Sequence, residues 1–154
     1  MTSDPRPRSM SLTLPVTGSA TIKARVLTTY ALMWWGLACL LDDARLVVSE
    51  LMENAIKAVS LHEPQSEIGL RLSAVGGSLM IGIEDPLTTV VPCPRAGARG
   101  LRLVSGITDD WGVRQSETSK VVWASLSDEP PTYLSGTPWP AVGEPWRKKR
   151  AGAG

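Results

Sequence analysis

The residues best suited to chemistry lie in one short segment, Val48–Ala55, with the sequence VSELMENA. Glu50 and Asn54 are four residues apart, so on a helix they project from adjacent turns on the same side. A glutamate can accept a proton from water or a hydroxyl group, and an asparagine oxygen can be a ligand of a magnesium ion that also holds phosphate oxygens. The pair therefore suggests a binding site for a ligand with phosphate groups. The same spacing is more often part of a solvated helix surface.

Two further segments favour a ligand. The apolar strand Leu79–Ile83 ends with Glu84-Asp85. The Asp85 carboxylate can accept a hydrogen bond from the exocyclic amine of adenine, whereas guanine would present an acceptor. Gly97 and Gly100 flank the start of a predicted helix, where backbone amides and the helix dipole favour phosphate. Each signal is weak alone, since an aspartate before a proline is usually a turn residue. Their order along the chain, together with the helical pair, predicts a nucleotide site.

The helix that carries the pair is predicted to run from near Leu41 to about Val59. An aspartate, Asp42 or Asp43, is expected to cap its first turn and to favour the positive end of the helix dipole. Apolar residues at three- and four-residue spacing form its predicted buried face. They are Ala44, Val47, Val48, Leu51, Ala55 and Ile56.

A preceding helix is predicted from Thr17 to near Gly36. Its apolar stripe consists of Ile22, Val26, Tyr30, Met33 and Leu37, and we expect a sheet or another helix to cover it. The apolar run Tyr30–Leu41 is shorter than the roughly 20 residues that cross a bilayer, so it favours a buried helix.

The remaining elements are mostly strands. Glu67–Ala74 and Ser78–Glu84 alternate apolar and polar residues around Gly76-Gly77, which predicts an antiparallel hairpin. A loop over residues 86–97 precedes a third helix with Leu101, Leu103, Val104 and Ile107. Further strands are predicted at Ser11–Leu14, Trp111–Gln115 and Lys120–Leu126. This order predicts an α+β fold, a two-layer sandwich of a mostly antiparallel sheet with about three helices on one face.

The composition favours one domain. The chain has 154 residues, 43% of them hydrophobic, and a formal net charge of +1, so nothing in the overall charge favours nucleic acid or an anionic membrane as partner. We expect a disordered lead-in with an edge strand over 1–16, the folded domain over 17–126, and a Pro-rich, basic, flexible tail over 127–154. Two cysteines without metal-ligand spacing, and a first segment unlike a signal peptide, predict a cytoplasmic protein.

From about Thr17 to Leu126 the chain resembles the GHKL (histidine kinase-like, or Bergerat-fold) ATPases, and among them the anti-sigma-factor serine kinase-like proteins of actinobacteria. The motifs that carry the resemblance follow one another in the family's order. They are the N-box Glu50–Ala55, the adenine-reading Asp85, the second glycine box Arg99-Gly100-Leu101, and the closing strands with Trp111-Gly112 and Lys120–Trp123.

The resemblance implies a cofactor, an activity and partners. ATP and Mg²⁺ would be bound, and the activity would be that of a protein serine/threonine kinase. The partner would be a sigma factor or an anti-sigma-factor antagonist, and a homodimer is a further expectation. By the resemblance Glu50 is the general base, Asn54 is the magnesium ligand, and the ATP-binding residues are Asn54, Lys57, Asp85, Arg99, Gly100 and Leu101.

One departure from the family pattern keeps an alternative open. Asp85 is followed by Pro86-Leu87-Thr88, where the family has a glycine. A catalytically degenerate module that regulates a sigma factor or antagonist by docking alone therefore remains an alternative. A third interpretation is a domain without a ligand, in which Glu50 and Asn54 are only surface residues.

Overall fold

The computed structural model describes residues 7–88 and 99–128, and it confirms the predicted α+β fold. Three α-helices pack against an antiparallel sheet. In chain order the elements are β1 Arg8–Pro15, α1 Ala20–Trp34, a short 3-10 turn Ala38–Leu40, α2 Leu41–His62, β2 Glu67–Val75, β3 Ser78–Asp85, α3 Arg99–Ile107, β4 Asp110–Gln115 and β5 Lys120–Ser127.

The strands are arranged in the order β1-β2-β3-β5-β4. Both predicted hairpins are confirmed, and the first turns at Gly76, whose φ of 58° suits a residue without a side chain. The second hairpin places β5, not β4, beside β3. In this antiparallel pairing the last residue of β3, Asp85, lies opposite the first residue of β5, Lys120.

Helix α2 lies at the centre of the helical layer, where it packs against both other helices and against β3 and β5. The predicted buried face is confirmed except for Ile56, which is only half-buried, and Met52 and Val59 extend it. The predicted aspartate cap is wrong. Leu40 occupies the N-cap position, while Asp42 and Asp43 lie within the first turn without a capping hydrogen bond, so they act only through the helix dipole.

The predicted burial of the α1 stripe is wrong for four of its five residues; only Leu37, which lies beyond the end of α1, is buried. Ile22, Val26, Tyr30 and Met33 are 64%, 59%, 68% and 60% exposed. The side of α1 that packs on the protein instead carries three alanines, a threonine and one leucine. These are Ala20, Ala24, Thr28, Ala31 and Leu32.

Small side chains on the packed side allow α1 to approach its neighbours closely, which overrides the simple expectation that the largest residues face inward. The buried Thr28 hydroxyl is satisfied because it donates to the Ala24 carbonyl oxygen at 2.8 Å. The apolar run Tyr30–Leu41 is correspondingly not one buried helix. It breaks after Trp34, and Gly36 takes a φ of 72° where the chain leaves α1.

The face of the sheet away from the main core carries a small second cluster of Met80 and Trp123, with Val121 beside it. Trp123 lies directly over Gly112 of β4. A Cβ at that position would come within 2.9 Å of the indole ring. Gly112 is therefore required by the packing of Trp123 and not by a turn.

Several predictions concern parts of the chain outside the described residues. They are the first six residues of the lead-in, most of the 86–97 loop, and the tail beyond residue 128. The edge strand predicted at Ser11–Leu14 is present and longer, beginning at Arg8. Among the helices of residues 7–88 and 99–128, none combines the length and the continuous hydrophobicity of a membrane span.

Candidate functional site

Helix α2 presents the predicted polar residues on one side. Glu50, Asn54 and Lys57 are separated by four and three residues, so they share a face, and all three belong to α2. Glu50 is half-buried, whereas Asn54 and Lys57 are exposed. The side-chain amide of Asn54 and the ammonium group of Lys57 are thus accessible to a ligand that approaches from solvent.

The packing of α2 fixes the direction in which this face points. Val48, Met52 and Val59 are buried on the other side of the helix, so the helix cannot rotate about its axis without exposing them to water. Burial of one such side chain is worth about 1.5 to 3 kcal/mol. The apolar side therefore holds Glu50, Asn54 and Lys57 in place.

Asp85, the predicted adenine-reading residue, ends β3 and is almost completely buried. One of its carboxylate oxygens lies 3.5 Å from the Nζ atom of Lys120, which is buried to the same degree. The other oxygen accepts a hydrogen bond of 2.8 Å from the backbone N–H of Leu87. Both oxygens therefore already have partners within the protein.

Burial raises the pKa of the Asp85 carboxyl above its ordinary value of 3.8, because a charged group loses its hydration there. The Leu87 N–H and the Lys120 ammonium oppose this effect and lower the pKa, without cancelling it. Glu63, just beyond the end of α2, contributes in the raising direction through its negative charge. The ion pair thus offsets only part of the cost of placing Asp85 in the interior.

The packing of α2 against the sheet relates the two parts of the site. Helix α2 packs against β3, the strand that ends with Asp85. Glu50, Asn54 and Lys57 therefore lie on the helix that packs against the strand of Asp85.

The segment after Asp85 packs inward. Leu87 is buried in the main core, and the Thr88 carbonyl oxygen accepts a hydrogen bond from the side chain of Gln115. The Pro86-Leu87-Thr88 sequence that departs from the family pattern thus ties the end of β3 to the β4–β5 hairpin. This turn covers Asp85 from the loop side.

Arg99, Gly100 and Leu101 form the first turn of α3. The side chain of Leu101 is buried in the core, so only its backbone is available to a ligand. Gly97 and most of the preceding loop lie outside the described residues. The expected phosphate contact of this segment remains a prediction.

Lys120 is the residue that sequence reasoning missed as part of the site. It appeared there only as the first residue of a predicted strand. Its position next to Asp85 follows from the insertion of β5 between β3 and β4, which the order of elements along the chain does not reveal.

No group of three or more histidine, cysteine or acidic side chains within residues 7–88 and 99–128 is arranged to hold a metal ion. A magnesium ion commonly keeps several waters and takes only one or two protein ligands, with phosphates completing its shell. The exposed side-chain amide of Asn54 matches that sparse donor set. The residues thus fit a magnesium ion that arrives with phosphate, but not a dedicated protein cage.

Comparisons with known proteins support the fold. No family model matches the chain, and no curated protein matches it either. Among solved structures, the chain is similar to the crystal structure of the RsbU and RsbW domains of Rv1364c from Mycobacterium tuberculosis, with a TM-score of 0.62 and 16% sequence identity. The match covers 78% of this chain and 32% of that chain, so the likeness establishes a shared domain fold.

Proposed function

We propose that the protein is an ATP-binding regulator of the anti-sigma-factor kinase type, which acts on a sigma factor or on an anti-sigma-factor antagonist. The observation that carries the proposal is the position of α2, which bears Glu50, Asn54 and Lys57 and packs against β3, the strand that ends with Asp85. The fold is shared with a structure that includes an RsbW domain. The motif order gives the same assignment from the sequence.

In this proposal Mg-ATP lies along α2. Asp85 and Lys120 form the base end of the site, where the adenine would be recognised. Glu50, Asn54 and Lys57 form the phosphate end. Bound Mg²⁺ would neutralise phosphate charge, and Asn54 would hold it.

At the phosphate end, Glu50 would accept the proton of a partner serine hydroxyl as that oxygen attacks the terminal phosphoryl group. Lys57 would contribute positive charge near the phosphates. By the family resemblance, Arg99 and the backbone amides at the start of α3 would also contact the phosphates.

A second candidate function is favoured by the ion pair between Asp85 and Lys120. An adenine amine must compete with Lys120 and with the Leu87 N–H for the Asp85 carboxylate. If the pair stays closed, the protein regulates its partner by docking alone. A measurement of nucleotide binding therefore distinguishes the two candidate functions.

The test is thermal unfolding with and without Mg-ATP, with Mg-GTP as the matched nucleotide. A ligand present at 100 times its Kd adds about 2.7 kcal/mol of stability, which should raise the Tm by several degrees. We expect Mg-ATP to raise the Tm and Mg-GTP to leave it unchanged. The Asn54→Ala variant should lose the Tm shift caused by Mg-ATP. The Gln65→Ala variant, which alters an exposed polar residue beyond α2, should keep this shift.

Phosphotransfer is then measured with γ-labelled ATP and a candidate antagonist. Glu50→Gln should reduce transfer by about 100-fold or more, as for loss of a general base, while leaving the ATP-induced Tm shift. No Tm shift at millimolar ATP, together with partner binding that survives Glu50→Gln, would establish the docking function instead.

A further inference from the structure

The outer face of the sheet, opposite the three helices, is buried along its inner strands. Ser73 of β2, Met80 of β3, and Trp123 and Ser125 of β5 point to this face, because the residues next to them in each strand belong to the main core. These four residues, which we call the outer patch, are 7%, 3%, 2% and 7% exposed. A segment other than the helices therefore covers the outer patch.

Trp123 lies at the centre of this patch between two glycines. Gly82 is its neighbour on β3, and Gly112 is its neighbour on β4. The indole lies over Gly112, so one face of the ring meets the sheet and the other points away from it. Since neither glycine has a side chain that could reach the second ring face, an exposure of only 2% indicates a further segment above the sheet.

The covered area has a boundary within the sheet. Ser9, Ser11 and Thr13 of β1 point to the same side, yet all three are exposed. Arg71 of β2, which pairs with Ser11, is exposed as well. The covering segment thus lies over β3 and β5, reaches β2 at Ser73, and stops before the edge strand β1.

The positions of the three stretches outside the described residues indicate which of them is the cover. Residues 89–98 connect two segments on the helical side, because Leu87 and Leu101 both belong to the main core. Residues 1–6 precede β1, the strand whose outer side is exposed. Residues 129–154 follow one residue after the end of β5, the strand that carries Trp123. This last stretch starts nearest to the outer patch.

We propose that residues 129–138 turn back after β5 and pack across the outer patch, with Tyr133 and Leu134 against Met80 and Trp123. Pro-rich segments bind aromatic surfaces in an extended conformation, because they lose little chain entropy. The sequence EPPTYLSGTP over residues 129–138 is of this kind, and its tyrosine and leucine are the first large apolar residues after β5. Part of the stretch expected to be a flexible tail thus belongs to the folded domain.

The length of the chain matches this route. Asp128 lies at the β2–β3 turn, since its backbone N–H donates to the Gly77 carbonyl oxygen at 3.4 Å. Pro130-Pro131 lack the N–H groups that a further paired strand requires. Measured back along β5 from Asp128, Ser125 lies at about 10 Å and Trp123 at about 17 Å. An extended return from the prolines covers about 10 Å by Leu134, which brings its side chain to the patch.

Three methionines report on the proposal in the full chain. Met80 lies in the outer patch, Met52 is completely buried in the main core, and Met33 is 60% exposed. Peroxide converts exposed methionines to the sulfoxide fastest, and mass spectrometry of peptides follows each residue. In the wild type we expect Met33 to react quickly, and Met52 and Met80 slowly.

The full-chain double variant Tyr133→Ser, Leu134→Ser removes both proposed anchors. Oxidation of Met80 should accelerate by about tenfold or more, since loss of two buried apolar side chains shifts the docking equilibrium at least that far. Met52 should stay slow, which shows that the main core is intact. The milder Leu134→Ala should accelerate Met80 alone, and it replaces the double variant if that variant also exposes Met52.

The matched control is Trp146→Ser. It removes a large apolar residue from the same stretch but outside residues 129–138, so it should leave Met80 protected. No nucleotide takes part in the measurement, so its outcome is independent of the proposed function.

A wild type in which Met80 is as reactive as Met33 would overturn the proposal, as would protection that survives the loss of Tyr133 and Leu134. Equal exposure of Met80 by Trp146→Ser would also contradict it. Dilution distinguishes the remaining alternative. Protection that falls with protein concentration would mean that a second copy covers the outer patch, whereas constant protection supports docking within one chain.

Discussion

The two ends of the candidate site differ in how they are built. At the base end, Asp85 and Lys120 are enclosed, and the Asp85 oxygens are already engaged by Lys120 and the Leu87 amide. At the phosphate end, Asn54 and Lys57 project into solvent from a helix whose other side is packed. The base end is thus part of the packed interior, whereas the residues of the phosphate end lie on its surface.

This difference separates stability from function. Removal of one member of a buried charged pair strongly destabilises the fold, because the remaining charge has neither a partner nor hydration. An exposed polar residue can be exchanged with little effect on folding. We therefore expect substitutions at the base end to unfold the protein before they report on ligand binding, and substitutions at the phosphate end to report on ligand binding alone.

The largest expected effect is that of Lys120→Met, which leaves the buried Asp85 carboxylate without its cation. We expect a loss of about 3–5 kcal/mol in the free energy of unfolding, measured in urea. Lys57→Met, which removes an exposed lysine at the phosphate end, should change it by less than about 0.5 kcal/mol. The double variant Lys120→Met with Asp85→Asn should recover part of the loss, since no buried charge remains. Equal effects of the two single lysine variants would contradict the enclosed base end.

The second effect concerns the strand that holds Lys120. Gly112→Ala forces a methyl group against the Trp123 ring, which shifts β4 or the indole, and overpacking of this kind costs about 1–3 kcal/mol. Gly77→Ala is the control, because a Cβ there would meet no atom within 4 Å. Thermal unfolding compares the two. If Gly112→Ala is as stable as Gly77→Ala, Trp123 does not pack rigidly over β4.

The two helices show how far the sequence could predict these features. The same apolar periodicity marks α1 and α2 in the sequence, and it predicts both helices. For α2 the apolar stripe is also the buried face, because large residues fill the space above the sheet. For α1 the alanines face the protein and the larger stripe faces outward. Periodicity identifies a stripe but not what covers it.

The site shows the same limit. Glu50, Asn54 and Lys57 could be grouped from local spacing, since helix geometry depends only on neighbours in the chain. The ion pair could not, because Lys120 meets Asp85 only when β5 enters the sheet next to β3. The sequence places Lys120 at the start of one predicted strand and Asp85 directly after another. Strand adjacency, a long-range property, was the missing information.

The third prediction uses the raised pKa of Asp85. Its folded pKa lies above the ordinary 3.8, so the native state binds this proton more tightly than the unfolded chain. Asp85 therefore favours the folded state below pH 3.8, and this contribution is lost as pH rises through the folded pKa. We expect the unfolding free energy of the wild type minus that of Asp85→Asn to fall over this window, in urea titrations at successive pH values. A difference that rises with pH would mean that Lys120 lowers the pKa more than burial raises it.

The smallest effect is expected at the phosphate end. Without nucleotide, Asn54→Ala should change the free energy of unfolding by less than about 0.5 kcal/mol, because its exposed amide has no role in the packing of α2. Glu50→Gln should behave similarly, since it keeps the size of a half-buried side chain and removes only its charge. Urea unfolding with Gln65→Ala as the reference measures both. A loss of more than about 1 kcal/mol would show that Asn54 or Glu50 supports the fold. Their effects on Mg-ATP binding could then no longer be attributed to direct contact, and the contrast between the two ends would fail.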